Sequence, residues 1–258
     1  MINIPLADFI IVFLIFLRIM SAFFTAPIFG HEGLPTLVKI FLSLLIAYIV
    51  FLTLDKSDIK VELTLWWLAV NGIKEVITGL IIGFMLNFIF YAVSYAGTII
   101  GFEVELSMAN VLNPVDGTNN NVIGEALSMG AIMIFFLING HHYIISGIVY
   151  SFSVVHIGKF SVTQPALELI VKYSASIFII AMKIASPIVV SYTLIYIAEG
   201  IMTRVIPQMQ VFFVTQPLII GLGILMVASI IPVYVYFLRN LLQGYENNLV
   251  TFIKAMSN

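Results

Sequence analysis

The chain of 258 residues is 61% apolar and 9% charged, and its formal net charge at pH 7 is −2. A soluble domain carries roughly 25% charged residues, so this chain cannot cover itself with a hydrated surface. The composition predicts an integral membrane protein and, without a basic stripe, excludes a nucleic-acid reader. The chain contains no cysteine, which excludes disulfides, thiolate catalysis and Cys-ligated metal centres.

Long apolar segments divide the chain into blocks that are compared with the roughly 20 residues needed to cross a bilayer. The six blocks cover about 6–29, 37–54, 63–101, 126–155, 173–203 and 211–238. They predict an all-α integral membrane protein that forms a single domain over residues 1–258. No positively charged region precedes the first block, so we expect it to remain in the mature chain. The distribution of Lys and Arg between loops predicts cytoplasmic termini.

Most blocks carry residues that bend or interrupt a helix. Block 63–101 has 39 residues, and as one helix at about 1.5 Å per residue it would be roughly twice as long as the hydrocarbon core is thick. We expect a break at the polar residues 71–75, or else a continuous helix in a protein-lined environment. Further interruptions are expected at 139–142, Pro187, Pro217 and Pro232. These features predict bent or broken helical hairpins covered by partners or lining a path, unless the prolines are merely those common in membrane helices.

Two pairs of glycines have the spacing that lets helix backbones approach closely. Gly79 is followed by Gly83, and Gly97 is followed by Gly101. Small residues four apart are typical of tightly packed membrane helices. The two pairs therefore favour a helical assembly over a single helix surrounded by lipid.

The longest polar interruption spans residues 102–125, where all four charged residues are acidic. Its middle, 113–121, is rich in Asn, Pro and Gly, which is typical of turns. Long loops inside a compact body are usually functional or disordered. The loop could therefore occlude or line a pathway, and a solvated loop outside the membrane is the alternative.

Several charged residues lie inside apolar blocks, namely Arg18, Lys74, Glu75 and Lys183. An unpaired charge at the centre of a membrane helix costs on the order of 2.5–3.5 kcal/mol, so each should face protein or water. Glu75 is a candidate partner for Arg18. One interpretation of these residues is an ion or proton relay, and the other is buried pairing at a subunit interface.

The adjacent His141 and His142 do not have the spacing of metal ligands. On a helix they point about 100° apart, whereas two ligands on one face need a separation of three or four residues. They indicate a turn or helix start at an interface. No nucleotide-binding or nucleophile-elbow motif occurs, so we expect no catalytic residue, metal or cofactor. Arg204, Pro207 and Gln208 predict an elbow between two helical blocks.

Taken together, these segments resemble the FliR family, the single-copy subunit of the export gate in flagellar and related type III secretion systems. The resemblance rests on short motifs in the family's order from about residue 17 to 240. They are Leu17 and Arg18 with 25–30, Pro35 and Lys39; Gly97–Gly101 with Asn113 and Pro114; Asn139–His142 with Ile145, Ser151 and Phe152; and Arg204–Phe212 with Pro217. The chain departs from the family at Glu103 and Glu105, because this loop is commonly poor in charge.

The resemblance implies a subunit that joins FliP-like and FliQ-like membrane subunits, and other export-apparatus proteins, in a helical hetero-oligomeric export gate. Such a gate lies in the bacterial inner membrane at the flagellar basal body, and unfolded protein substrates pass through it. The residues to which the resemblance gives the role of pore plug are Glu105, Asn110, Asn113, Pro114, Asp116, Gly117 and Asn121.

A second set of residues is expected to be buried or to take part in assembly. Its members are Arg18, Lys74, Glu75, His141, His142, Lys183, Arg204, Pro207 and Gln208. The alternative function is a secondary transporter for a small solute or ion, because intramembrane charges and broken helices also mark the binding sites of transporters. A purely structural scaffold is the third interpretation.

Overall fold

The computed structural model describes residues 6–30, 33–54, 61–105, 122–160, 163–208 and 211–256. Within these ranges all regular structure is helical. The helices are α1 (Leu6–Thr25), α2 (Thr36–Thr53), α3 (Leu65–Glu103), α4 (Val122–Leu137), α5 (Gly140–Val154), α6 (Gln164–Val205), α7 (Val211–Gln243) and α8 (Tyr245–Ala255). The predicted all-α fold class is confirmed.

The helices have the length and composition of membrane spans. Five helical segments are long and apolar enough to cross a membrane, and the number rises to six if α4 and α5 are taken as one broken span. The break between α4 and α5 lies at the predicted interruption, where Asn139 has the left-handed backbone angles φ 58° and ψ 30°. About six apolar blocks in a membrane protein are therefore confirmed.

Helix α3 is continuous for 39 residues, so the break expected at 71–75 is wrong and the alternative of one long helix is correct. The polar side chains at this position have partners that leave the helical hydrogen bonds intact. The Asn71 amide donates to the Trp67 carbonyl at 2.9 Å, and the Thr78 hydroxyl donates to the Lys74 carbonyl at 2.7 Å. Polar residues inside an apolar run thus indicate a protein-lined stretch here.

The prolines also lie inside continuous helices. Helix α6 contains Pro187, and helix α7 contains Pro217 and Pro232. The helices are therefore not broken at these prolines, and the bend that was the other expectation stays a prediction. A proline removes one backbone donor, and at Pro187 a side chain compensates, because the Ser186 hydroxyl donates to the Lys183 carbonyl at 3.1 Å.

The described residues group into two compact units. The first comprises those of Met1–Phe88, Asn139–Tyr173 and Gln243–Asn258, and the second comprises those of Ile89–Ile138 and Ser174–Leu242. The first has fully buried apolar side chains on α1, such as Leu14 and Phe23, and the second has a fully buried Phe135 on α4. The single domain expected over 1–258 stays a prediction.

The glycine spacing on α3 allows α1 to pack directly against it. A Cβ atom added at Gly79 would lie 2.2 Å from the Arg18 carbonyl oxygen, and one added at Gly83 would lie 2.5 Å from the Ala22 carbonyl oxygen. The hydroxyls of Ser21 and Thr25 obstruct these positions as well. Because backbone atoms of α1 are among the obstructing atoms, neither position can accept a side chain without moving a helix. The close approach predicted from this pair of glycines is confirmed.

We expect Gly79→Ala to lower the free energy of unfolding by about 1–3 kcal/mol, as overpacking of a close contact does. Gly72→Ala on the same helix is the matched control, because its added Cβ would meet only the end of the Leu17 side chain at 3.4 Å. Thermal and denaturant unfolding of the purified chain in detergent provides the measurement. Equal stability of the two variants would contradict the packing of α1 on α3.

Candidate functional site

A fully buried ion pair joins α1 to α3 within the first unit. Arg18 and Glu75 are both 0% exposed, and the Arg18 Nε donates to the Glu75 Oε2 at 2.5 Å. The structure thus brings together the two residues that the sequence named as candidate partners. An ion pair in a low-dielectric interior loses hydration on both sides, so its geometry and its further hydrogen bonds decide whether it is tolerated.

The guanidinium of Arg18 also binds the C-terminal end of α5. Its Nη1 donates to the Val155 carbonyl at 2.9 Å and to the Ser151 carbonyl at 3.2 Å. The last carbonyls of a helix lack partners within that helix and carry partial negative charge. The Phe152 ring lies against the same cation, 4.3 Å from Cζ to the ring centroid, which adds a cation–π contact. Arg18 therefore connects three helices.

The other oxygen of Glu75 holds the turn that follows α5. Its Oε1 accepts from the Gly158 N–H at 2.8 Å, while the Lys74 Nζ donates to the Gly158 carbonyl at 3.1 Å. Gly158 has a φ of 76°, and an added Cβ would lie 2.6 Å from the Asn71 Oδ1. A residue with a side chain is therefore excluded, and neighbouring residues of α3 bind both polar groups of this glycine.

The chemistry of this cluster is that of a fixed connection between helices. Arg18 and Glu75 have no exposed surface, and their hydrogen bonds reach backbone groups as well as each other. Breaking such a pair by removing one member typically costs about 3–5 kcal/mol. The sequence located the three charges, whereas the backbone groups of Ser151, Val155 and Gly158 carry no sequence signal that could have identified them.

The remaining residues of the predicted assembly set occupy different environments. His141 is partly buried, and its ring lies 4.3 Å from that of His142. The exposed members are His142, Lys183, Arg204, Pro207 and Gln208. Their role in assembly stays a prediction. Across the described residues, no group of three or more His, Asp or Glu side chains could hold a metal ion.

Most residues predicted to form the plug lie outside the described residues. They are Asn110, Asn113, Pro114, Asp116, Gly117 and Asn121. Glu105 is the last described residue before this segment, and Val122 is the first described residue after it. The structure therefore describes the two ends to which segment 106–121 is attached, both within the second unit.

The first end is held against α6 and α7. Tyr196 donates its hydroxyl to the Glu103 carbonyl at 2.9 Å, and the Gln216 amide donates to the Glu105 carboxylate. Val104 is fully buried, and a Cβ added at Gly223 would lie 2.4 Å from its Cγ1 atom. Three successive residues thus anchor the end of α3, and Glu105 then turns the chain with a φ of 60°.

The electrostatic environment of Glu105 favours its neutral form. Burial raises the pKa of the Glu105 carboxyl, the hydrogen bond from Gln216 lowers it in part, and the negative charge of Glu199 raises it further. Tyr196 and Gln216 were not named as site residues from the sequence. Their polarity within apolar blocks was the available signal, but it does not identify a partner more than 90 residues away.

The second end is fixed by a contact between two glycines. A Cβ added at Gly97 on α3 would lie 2.2 Å from the Gly124 Cα in the first turn of α4. The two backbones therefore touch directly, as the spacing of Gly97 and Gly101 predicted for this helix. The sequence did not indicate that the opposing residue would be Gly124.

Comparison with known proteins places this fold in a family. Residues 9–245 match the model of the family described as bacterial export proteins, family 1. The chain is 32% identical over 230 residues to the flagellar biosynthetic protein FliR of Bacillus subtilis (strain 168), covering 88% of each chain. It is 30% identical over 241 residues to the FliR protein of Escherichia coli (strain K12), covering 93% of this chain and 91% of that protein.

We expect Arg18→Met and Glu75→Met each to lower the free energy of unfolding by about 3–5 kcal/mol, because each leaves a buried charge without its partner. The double variant should lose less than the sum of the two single losses, since it removes both charges. Unfolding in detergent measures the three values. Lys159→Met, at an exposed lysine of the same unit, is the control, and additive losses would contradict the pairing.

The raised pKa of Glu105 predicts an anchor whose strength depends on pH. Because burial raises the pKa of Glu105 more than the Gln216 hydrogen bond lowers it, the folded chain accommodates the protonated carboxyl at a lower free-energy cost than the ionised one. The anchor should therefore weaken as the pH rises from about 4.5 through the raised pKa. Glu105→Gln should remove this dependence, whereas Glu168→Gln, at an exposed acid elsewhere, should not. Hydrogen exchange at the Val104 and Glu105 amides, corrected for intrinsic rates, tests this expectation. Constant protection in the unaltered chain would contradict it.

Proposed function

The chain belongs to the FliR family of bacterial export proteins, and from this premise we propose that it forms and plugs the pore of a flagellar protein export gate. Membership gives it a role in flagellar protein export, as a membrane protein of the flagellar apparatus that works with other export components. The proposal adds the gating role, which is a mechanical one and needs no catalytic residue. It also places the chain in the bacterial inner membrane at the basal body, beside FliP-like and FliQ-like subunits.

The observation that carries the plug proposal is the anchoring of both ends of segment 106–121. The segment has 16 residues, and a chain of that length spans at most about 53–58 Å. Contacts of Glu103, Val104 and Glu105 hold one end, and the contact of Gly97 with Gly124 holds the other. A segment tethered in this way can leave an opening and return to it without detaching the helices that flank it.

The division between a tethered segment and packed helices fits the two demands on an export gate. A closed gate must hold back ions and small solutes, and an open gate must admit an unfolded chain. Loops open at a lower free-energy cost than packed helices, so a loop can respond to a substrate while its frame stays assembled. In the proposal, segment 106–121 is the moving part, and the anchored ends belong to the frame.

The Arg18 cluster supports an export gate over the alternative of a secondary transporter. A transporter uses intramembrane charges at a substrate or ion site that alternates between the two sides. Here Arg18 is bound to Glu75, and Lys74 binds the carbonyl of Gly158. Three of the four charges that suggested a transporter therefore have structural partners within the chain.

We expect deletion of residues 107–120 to raise ion leakage through the assembled gate, because the tethered segment is then too short to occlude the opening. Leakage is measured with a potential-sensitive dye in vesicles that contain the complex, and complex recovery is measured in parallel. A deletion in the other long polar segment, 55–60, is the control. Unchanged leakage with full assembly would contradict the plug role, and loss of assembly alone would favour the scaffold interpretation.

A further inference from the structure

One lysine lies in the interior of the longest helix and faces outward. Between Lys172 and Glu199, the only charged residue of α6 is Lys183. Every stretch of 20 residues inside 173–198 includes it, so a crossing that keeps the other charges at its ends must take Lys183 into the apolar layer. A charge at that depth needs a partner or water.

The described part of the second unit supplies no acidic partner for this ammonium group. Among the described residues, no ion pair involves Lys183, and the one that is present joins Arg18 to Glu75. The side chain is exposed. Its neighbours are apolar and exposed as well, with Phe178 at 58%, Ile179 at 55% and Met182 at 48%. A water-lined path would have polar side chains at these positions, so the surroundings of Lys183 do not favour solvent.

The same side chains form a groove of the kind that holds a helix. A shallow groove of about 490 Å³ is lined by Phe178, Ile179, Met182, Lys183 and Ser186. One row of these residues has the spacing 178, 182, 186 and the next has 179, 183. Rows of side chains four apart are the ridges of a helix surface, and the groove between two rows receives a ridge from a second helix.

The backbone at this position is also unusual. Pro187 has no N–H, so the carbonyl of Lys183 lacks the donor that the next turn of a helix normally provides. The Ser186 hydroxyl supplies a replacement hydrogen bond at 3.1 Å. The Lys183 carbonyl therefore has a hydrogen-bond donor, whereas the Lys183 ammonium group in the groove still needs a partner.

We propose that this face of α6 binds an apolar transmembrane helix of another subunit, and that this helix carries a carboxylate paired with Lys183. Charge complementarity selects the carboxylate, because a lipid chain has no group that neutralises a cation at this depth. A second copy of this chain docked through the same face would present the same lining of Phe178, Ile179, Met182, Lys183 and Ser186, which contains no carboxylate. The inference concerns the outer face of α6, and it goes beyond the plug proposal without depending on it.

Charge variants test the pairing in the assembled complex. Lys183→Arg should assemble normally. Lys183→Glu places two negative charges in a buried contact, and we expect recovery of the complex to fall at least about tenfold. Lys183→Met should give an intermediate loss, because the partner's carboxylate is left unpaired. Lys172→Glu is the control, since it reverses an exposed lysine three turns away on the same helix. The amount of each variant in the membrane is measured separately, so that misfolding is distinguished from failed assembly.

Two further results identify the occupant. A photo-crosslinking amino acid at Met182 should form an adduct with an apolar helix of a different subunit. Suppressors of Lys183→Glu should change an acidic residue of that same helix to a neutral or basic one. Adducts only with phospholipid or with a second copy of this chain would overturn the proposal. Assembly of Lys183→Glu and Lys183→Met at the level of the unaltered chain would overturn it as well.

Discussion

A charge cannot remain uncompensated in an apolar environment, and this constraint organises the first unit. Arg18 is fully buried, so its donors must find acceptors inside the protein. Acceptors for Nε and Nη1 come from α3 and from the end of α5. Nη2 has no hydrogen-bond partner among the described residues, and the Phe152 ring lies against the cation. Packing at Gly79 and Gly83 brings α1 near enough to α3 for the ion pair to form. The position of the turn at Gly158 then follows from the second oxygen of Glu75.

The second unit is organised by backbone contacts. Near Glu105 and Val122, the described residues on either side of segment 106–121, main chain is held by a side chain or by another main chain. The Glu103 carbonyl is bound by Tyr196, and Gly97 touches Gly124. Because these backbone groups already have partners near the helix ends, their positions do not depend on segment 106–121. This independence agrees with the proposed gate, whose frame must keep its structure in both the open and the closed state.

Features that depend on residues close together along the chain could be predicted from the sequence, whereas contacts between distant residues could not. Apolar length along the chain is a local property, and it identified the blocks and the all-α class. The Asn139 interruption is local as well, since Asn readily adopts the left-handed conformation. The break expected at 71–75 was wrong because polarity in a helix shows a need for partners, and the partner of Glu75 lies 57 residues away. The Gln216 contact spans 111 residues, and no pattern along the chain encodes it.

The intramembrane charges also show that the charge content of the chain does not reveal where each charge finds its partner. Arg18 is neutralised by a carboxylate of the same chain, and Lys74 binds a backbone carbonyl of the same unit. Lys183 belongs to the same class by sequence, yet its side chain is exposed and lines a mainly apolar groove. Groups of the same chain compensate the charges of Arg18 and Lys74. The charge of Lys183 must then be compensated by a group outside the unit. In the proposed assembly, the low charge content belongs to two kinds of surface, one that contacts lipid and one that a neighbouring subunit covers.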